Sequence, residues 1–155
     1  MESPKSLQEE YSPHSACFGC GPANEKGLRI RSFAKGDEVV AHWQPEPYHE
    51  AFPGVLNGGI IGTLLDCHAN WAATYFLMQK QGLTKAPCVV TAYYNVKLKR
   101  PTPSQAPVYL VAKLKEFTKR GAIIQASLYS QEVLCATCEG LFVAVSADHP
   151  ASARW

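Results

Sequence analysis

Long apolar runs, a dense cluster of charge of one sign and a disulfide-rich cysteine pattern are all missing from this chain, and each absence removes a class of protein. No stretch approaches the roughly 18 consecutive apolar residues of a membrane-spanning helix. Lys and Arg number 15 against 13 Asp and Glu, a net charge of only +2, so the broad basic face of a nucleic-acid binder is not expected. A small cationic patch for a phosphorylated ligand remains compatible with that balance. The opening "MESPKSLQEEYSPHS" lacks the apolar core of a secretory signal, and the expectation is a soluble, cytoplasmic protein with neither a nucleic-acid nor a membrane partner. Six cysteines in 155 residues are too sparse for a disulfide scaffold, and a reducing compartment keeps them as thiols. There is no internal repeat and no low-complexity tract.

What is present is an ordinary globular composition, 46% hydrophobic and 18% charged, long enough for one domain with a substantial core. The pattern divides into a flexible N-terminal arm over 1–15, a single domain over 16–147 and a loose C-terminal tail over 148–155. "CFGCGPANEKGLRIRSF" reads as a turn-rich segment leading into a strand near Leu28–Phe33, and "DEVVAHWQP" as a strand stopped by proline. "EPYHEAFPGVL" is a loop. From about Gly58 to Lys80 runs the only long helical candidate, apolar around most of its circumference and therefore buried on most sides. Asn57 is placed to cap it. Beyond it the period changes to two: "CVVTAYYNVKLKR" puts Val90, Ala92, Tyr94, Val96 and Leu98 on one face and Thr91, Tyr93, Asn95, Lys97 and Lys99 on the other. "VYLVAKLKEF", a "TKRG" hairpin turn, "AIIQASLYS" and "EVLCATCEGLFVAV" supply three more strands. A run of strands with a single helix is an α+β pattern, an antiparallel sheet curled around that helix.

The chemistry concentrates in "GVLNGGIIGTLLD". Asp66 ends an apolar helical run, yet the positions a helix would use to pair it, Gly62, Thr63, Ala69 and Asn70, hold neither Lys nor Arg. An unpaired carboxylate is costly to bury, so Asp66 is catalytic, or lies at an exposed notch, or is bonded to a neighbour such as Thr63 or Asn70. Gly58, Gly59 and Gly62 each cost about 1 kcal/mol relative to Ala in a helix. Bare backbone at a helix N-terminus admits close approach and offers amide donors, the equipment of an oxyanion hole; close packing of the helix is the other explanation. Asn57 and Asp66 are about 13 Å apart along one helix, too far to serve one reacting centre from the same chain. If both act together, two subunits supply them across a two-fold interface.

"CFGCGPANEKGLRIRSF", "PGVLNGGIIGTLLD" and "TAYYNVKLKRPTP" occur in the order seen in the hotdog-fold acyl-CoA thioesterases, and over about residues 17–145 the chain resembles their phenylacetate-pathway-type branch. The resemblance implies a hotdog fold, a curved antiparallel sheet wrapped around one long central helix, in a homo-oligomer that is a dimer or a dimer of dimers. It implies an acyl-CoA substrate hydrolysed to free acid and coenzyme A, with Asp66 as general base or nucleophile, the Gly58 amide as thioester-carbonyl donor, and the Thr91 hydroxyl beside the acid. Gly59 and Asn57 complete the catalytic candidates. Many relatives have His where this chain has Asn57, which cannot shuttle protons, and some have Asn at the position of Ala51. Lys97, Lys99 and Arg100 close one strand, and Lys99 and Arg100 match the family's coenzyme-contacting strand end. Lys119 and Arg120, in the hairpin turn, would extend a cationic rim if the strands are adjacent.

His68 is expected to be a core or interface histidine, and His42 and His49 are left unassigned. No metal and no cofactor beyond the coenzyme A of the substrate is expected. Two other readings stand beside the enzyme: a non-catalytic acyl-CoA-binding hotdog module, and a zinc-stabilised interaction protein in which Cys17/Cys20 meet Cys135/Cys138. The second pair lies in a strand pattern, where residues three apart face opposite ways, and buried thiols are the preferred reading.

Overall fold

The computed structural model describes residues 3–154. Its elements are a short helix α1 (Leu7–Tyr11), strands β1 (Phe33–Lys35) and β2 (Glu38–Trp43), a small ribbon of β3 (Glu50–Phe52) and β4 (Val55–Leu56), and the long helix α2 (Gly58–Gln81). Four long strands follow: β5 (Val89–Leu98), β6 (Val108–Phe117), β7 (Gly121–Ser130) and β8 (Val133–Ala144). Six strands form one antiparallel sheet in the order β1-β2-β6-β7-β8-β5, and α2 packs against β2, β5, β6, β7 and β8. This is the α+β arrangement expected, a curled sheet around one helix. Among the described residues no helix is long and apolar enough to cross a membrane.

The helix forms where its signals stand. Asn57, extended at φ −61°, ψ 134°, accepts from the Gly59 and Ile60 amides, and Gly82 closes the other end in the left-handed region at φ 64°. Leu64, Leu65, Ala69, Ala72 and Ala73 have no exposed surface and meet Val39, Leu110, Ile124, Leu128 and Phe142 of the sheet in one core. Burying each large aliphatic side chain is worth about 1.5–3 kcal/mol.

Three expectations need correction. The N-terminal arm is not loose from residue 7 onward. Ser6 and Glu9 form a reciprocal capping box, Leu7 and Gln8 are buried, and the Leu7 amide donates to the Ser32 carbonyl at 2.8 Å. The strand expected near Leu28–Phe33 begins only at Phe33, because Arg29 turns the chain with φ 54° and the Leu28 carbonyl is taken by Trp43 Nε1. Of the tail expected to be loose, Pro150–Arg154 is a short 3-10 helix, while Met1, Glu2 and Trp155 lie outside the described residues. The loop before α2 contains a 3-10 turn (Pro47–His49) and the β3–β4 ribbon.

The strict alternation assigned to β5 is also broken. Its pairing with β8 shifts between Thr91 and Tyr93. The bulge lets Val89 and Thr91 face the helix before it, and Tyr94, Val96 and Leu98 after it, whereas uninterrupted period two would have turned Thr91 away.

Candidate active site

Asp66 sits two turns into α2, half-buried between α2 and β5. Its Oδ1 accepts from Thr91 Oγ1 at 2.7 Å. Thr91 is next to the β5 bulge, so the irregularity in the strand is what brings its hydroxyl to the helix. Asn70, one turn beyond Asp66, is tied through Nδ2 to the Val89 carbonyl at 3.2 Å and to Thr91 Oγ1 at 3.5 Å. Donation thus runs from Asn70 to Thr91 to Asp66, holding the carboxylate by its acceptor side. A small cavity of about 90 Å³ opens there, lined by Asp66, Thr91, Asn70, Cys17, Cys20 and Cys67 among others. A groove of about 770 Å³ on the outer face of β2, β6 and β7, beside His42 and Tyr109, is larger but shares no residue with it. The chemistry marks the smaller space.

At the start of α2, Asn57 Oδ1 accepts from the amides of Gly59, at 2.8 Å, and Ile60, at 3.1 Å. The Ile61 amide donates to the Asn57 carbonyl at 3.1 Å. Of the first-turn donors, the Gly58 amide alone has no acceptor among the described residues, so the amide of Gly59 serves the cap and that of Gly58 stays available. A side chain at Gly62 would meet nothing within 4 Å, and one at Gly58 only Leu98 Cδ1 at 3.1 Å. Close packing within the chain therefore does not account for glycine at 62. Gly58 and Asp66 share one helix, eight residues or about 12 Å apart along its axis, as the spacing required.

The basic residues separate into two groups. Lys97, Lys99 and Arg100 are exposed at the end of β5, and Lys119 and Arg120 are exposed in the β6–β7 turn. The expected single rim does not form within one chain. The β5 end pairs with the start of β8, Leu98 opposite Ala136, whereas the turn lies beside the far end, Gly121 opposite Val143. Seven residues of strand separate those points, about 23 Å. None of the five joins an ion pair among the described residues.

The histidines follow the expectation. His68 has no exposed surface; Nε2 donates to the Val39 carbonyl and Nδ1 accepts from Ser32 Oγ, both at 2.8 Å. Ser32 Oγ accepts in turn from Gln8 Nε2 at 2.9 Å. Burial pushes the imidazole down to about 4, so it stays neutral and structural. His49 accepts from the Glu46 amide and packs against Trp43 and Tyr48.

Other groups at the site escaped sequence reading. Burial and the neighbouring Asp66 charge push the Tyr94 phenol up, and the same two causes push the Cys138 thiol up to about 11. Cys17, Cys20 and Cys67 form a cluster with all three sulfurs within 4.8 Å of one another. Donation from the Cys20 and Cys67 thiols holds the Cys17 thiol far below its usual range. The same bond to Cys17 pushes Cys20 up to about 12, and Cys67 is raised well above its usual value. The CxxC spacing of the first pair was visible in the sequence; nothing there identified Cys67 as its neighbour, because that contact joins a loop to a helix 50 residues away.

No protein-family model matches the chain. It is similar to acyl-coenzyme A thioesterase THEM4 of Bos taurus, with 26% identity over 144 residues that cover 90% of this chain and 56% of that protein. The chain therefore spans little more than half the length of that curated relative. Among solved structures, a thioesterase superfamily protein from Shewanella loihica is 29% identical at a TM-score of 0.66, over 81% of this chain and 98% of the other. The PaaI protein of the E. coli phenylacetic acid degradation operon shares the fold at 17% identity and a TM-score of 0.60, over 75% of this chain and 83% of its own. With a six-stranded antiparallel sheet around one long helix, the chain has the hotdog fold of these solved structures, and its sequence is similar to proteins of the thioesterase superfamily.

Proposed function

We propose that the protein is an acyl-CoA thioesterase, hydrolysing a thioester to a free carboxylic acid and coenzyme A. The observation that carries this reading is the Asp66 carboxylate, held by Thr91 at 2.7 Å in a small cavity, on the same helix whose first amide is left open. The likeness to acyl-coenzyme A thioesterase THEM4 supports the substrate class.

The thioester oxygen accepts from the Gly58 amide, where the positive end of the helix dipole favours the developing oxyanion. In the general-base route, Asp66 takes a proton from water as its oxygen bonds to the carbonyl carbon. Collapse breaks the C–S bond, and the coenzyme A thiolate leaves and takes up a proton. In the nucleophilic route, an Asp66 oxygen attacks first, the C–S bond breaks as the coenzyme A thiolate leaves and takes up a proton, and water cleaves the resulting mixed anhydride to free acid and the Asp66 carboxylate. Thr91 orients the carboxylate in both. These steps use only carboxylate, amide, hydroxyl and water.

Because one helix keeps its two ends of the chemistry about 12 Å apart, the reading requires a homodimer in which Asp66 and Thr91 of one chain face Gly58 of the other. β5 is suited to that interface. It is an edge strand of the sheet with Tyr93, Tyr94 and Leu98 exposed, a surface that folded chains normally cover or disarm. Antiparallel pairing of two β5 edges would bring the turn bearing Lys119 and Arg120 toward the other chain's Lys97, Lys99 and Arg100. The phosphates of coenzyme A would then meet cations from both chains.

The test is hydrolysis of short, long and aromatic acyl-CoAs by wild type and Asp66→Asn. The expected loss in kcat/KM is about 100- to 10,000-fold, with coenzyme A binding retained. Binding without turnover in wild type would favour the non-catalytic acyl-CoA module, and equal turnover in both proteins would remove Asp66 from the chemistry. Multiple turnovers in oxygen-18 water separate the two routes, since only a nucleophilic Asp66 acquires label.

A further inference from the structure

Cys17, Cys20 and Cys67 are not needed for the proposed hydrolysis, yet they are assembled with care. The turn leaves no room for a larger residue: a side chain at Gly21 would strike the Cys17 nitrogen and the Ser15 carbonyl, both at 2.4 Å. A side chain at Gly19 would strike Cys67 Sγ at 2.3 Å. Both glycines therefore let the loop fold tightly and lie directly on α2 at Cys67. The Gly21 amide closes the turn on the Cys17 carbonyl at 2.8 Å. A C-x-x-C-G turn closed in this way is a knuckle that brings its two sulfurs within 4.8 Å of each other and of Cys67 Sγ.

We propose that this knuckle and Cys67 form a three-thiolate site for a thiophilic metal cation, Zn²⁺ by its preference for cysteine sulfur in tetrahedral geometry. Sulfurs about 2.3 Å from a tetrahedral zinc are about 3.8 Å from one another. Cys17 and Cys67 already stand 3.9 Å apart, and the widest pair in the cluster needs to close by no more than about 1 Å from its 4.8 Å limit. Zn²⁺ displaces to solvent whatever protons the three sulfurs carry and, with three thiolates, leaves a complex of charge −1. All three cysteines line the cavity that Asp66 and Thr91 also line, so a fourth ligand such as water would come from that space. The metal would pin the segment around residues 17–20, which has no regular strand or helix of its own, to α2 next to the candidate acid.

The site differs from the one the two CxxC pairs suggested. Cys135 and Cys138 lie on β8 and do not join the cluster; the Cys135 sulfur is directed to the Pro101 and Val133 carbonyls.

The test is elemental analysis of the full chain, purified under reductant, loaded with zinc and desalted. One zinc per chain is expected in wild type and in Cys135→Ser/Cys138→Ser, with at least tenfold less in Cys17→Ser/Cys67→Ser. Because the latter variant can misfold, Co²⁺ and Cd²⁺ titrations of wild type give an independent reading. Sulfur-to-metal charge-transfer absorption should saturate at one equivalent. Absence of that absorption, zinc below a tenth of an equivalent with six free thiols, or zinc retained by Cys17→Ser/Cys67→Ser would each overturn the assignment. None of these readouts involves thioester hydrolysis, so the metal site and the proposed activity can fail separately.

Discussion

Asp66 and His68 stand two residues apart on α2, yet the first is half-buried beside a cavity and the second has no exposed surface. The contrast extends to the whole helix. From Gly58 to Cys67 only Ile61, Leu64 and Leu65 are buried, whereas from His68 to Met78 every residue but Tyr75 is. In the buried half each polar side chain is satisfied from inside: both His68 nitrogens are bonded, Asn70 reaches the Val89 carbonyl, and Thr74 Oγ1 donates to the Asn70 carbonyl at 2.9 Å. The other half has one glycine, Gly62, with open space beside it and an amide, that of Gly58, without an acceptor among the described residues. Burial with complete satisfaction makes scaffold; access with a donor in reserve makes a site. The helix is both, divided near residue 67.

The strongest way to break this division is to remove the reserve donor without disturbing the helix. Gly58 is the first helical residue, where proline is well tolerated, and Asn57 already has the extended backbone that a following proline demands. Gly58→Pro should keep the thermal unfolding temperature close to wild type, with the end of Leu98 shifting to make room. Its kcat toward acyl-CoA should fall about 100- to 1,000-fold, the cost of losing one oxyanion donor. Unchanged kcat in the folded variant would remove the Gly58 amide from the mechanism.

On the scaffold side, the next effect is a pH dependence of stability. Burial lowers the His68 pKa to about 4 from an ordinary 6.5. The folded protein therefore prefers the neutral ring, and this contribution is complete above pH 6.5. It declines as pH falls from 6.5 toward 4, because only the unfolded chain takes up the proton. The full loss is on the order of 3 kcal/mol. Urea unfolding midpoints at pH 7, 5.5 and 4 should fall in sequence for wild type and much less for His68→Gln. Equal acid sensitivity in both would show that other groups govern it.

The scaffold half was the more legible in the sequence. Period and caps located α2 to within a residue at its end, and His68, two residues past Asp66 and so pointing elsewhere on the helix, was readable as a core or interface histidine. Asp66 was legible for the opposite reason, as a charge without a helical partner. The errors arose where one local event overrode a pattern. A single bulge at Thr91–Tyr93 turned the Thr91 side chain toward the helix, and no composition signal in β5 announces it. The antiparallel order of β5 and β8 sent the Lys119–Arg120 turn to the far end of the sheet, a consequence of topology that no charge count contains. The arm was misread although its capping box, Ser6 with Glu9, was there; five residues of helix are too short to register by period. Cys67 beside Cys17 and Cys20 required the folded loop itself.

The smallest effect concerns the residue that stands where the two halves of the comparison begin. Asn57 holds two first-turn amides, and Asn57→Ala should cost about 1 kcal/mol in urea unfolding with an unchanged slope. That loss alone would not distinguish a cap from a participant in the chemistry. Asn57→Asp does. Aspartate caps as well as asparagine and suits the helix dipole, so stability should match wild type or exceed it slightly. A carboxylate one residue before the Gly58 amide also opposes an oxyanion forming there, so kcat should fall while stability holds. If Asn57→Asp keeps both stability and kcat, the reacting oxygen does not sit at the start of α2, and the open half of the helix loses its assignment.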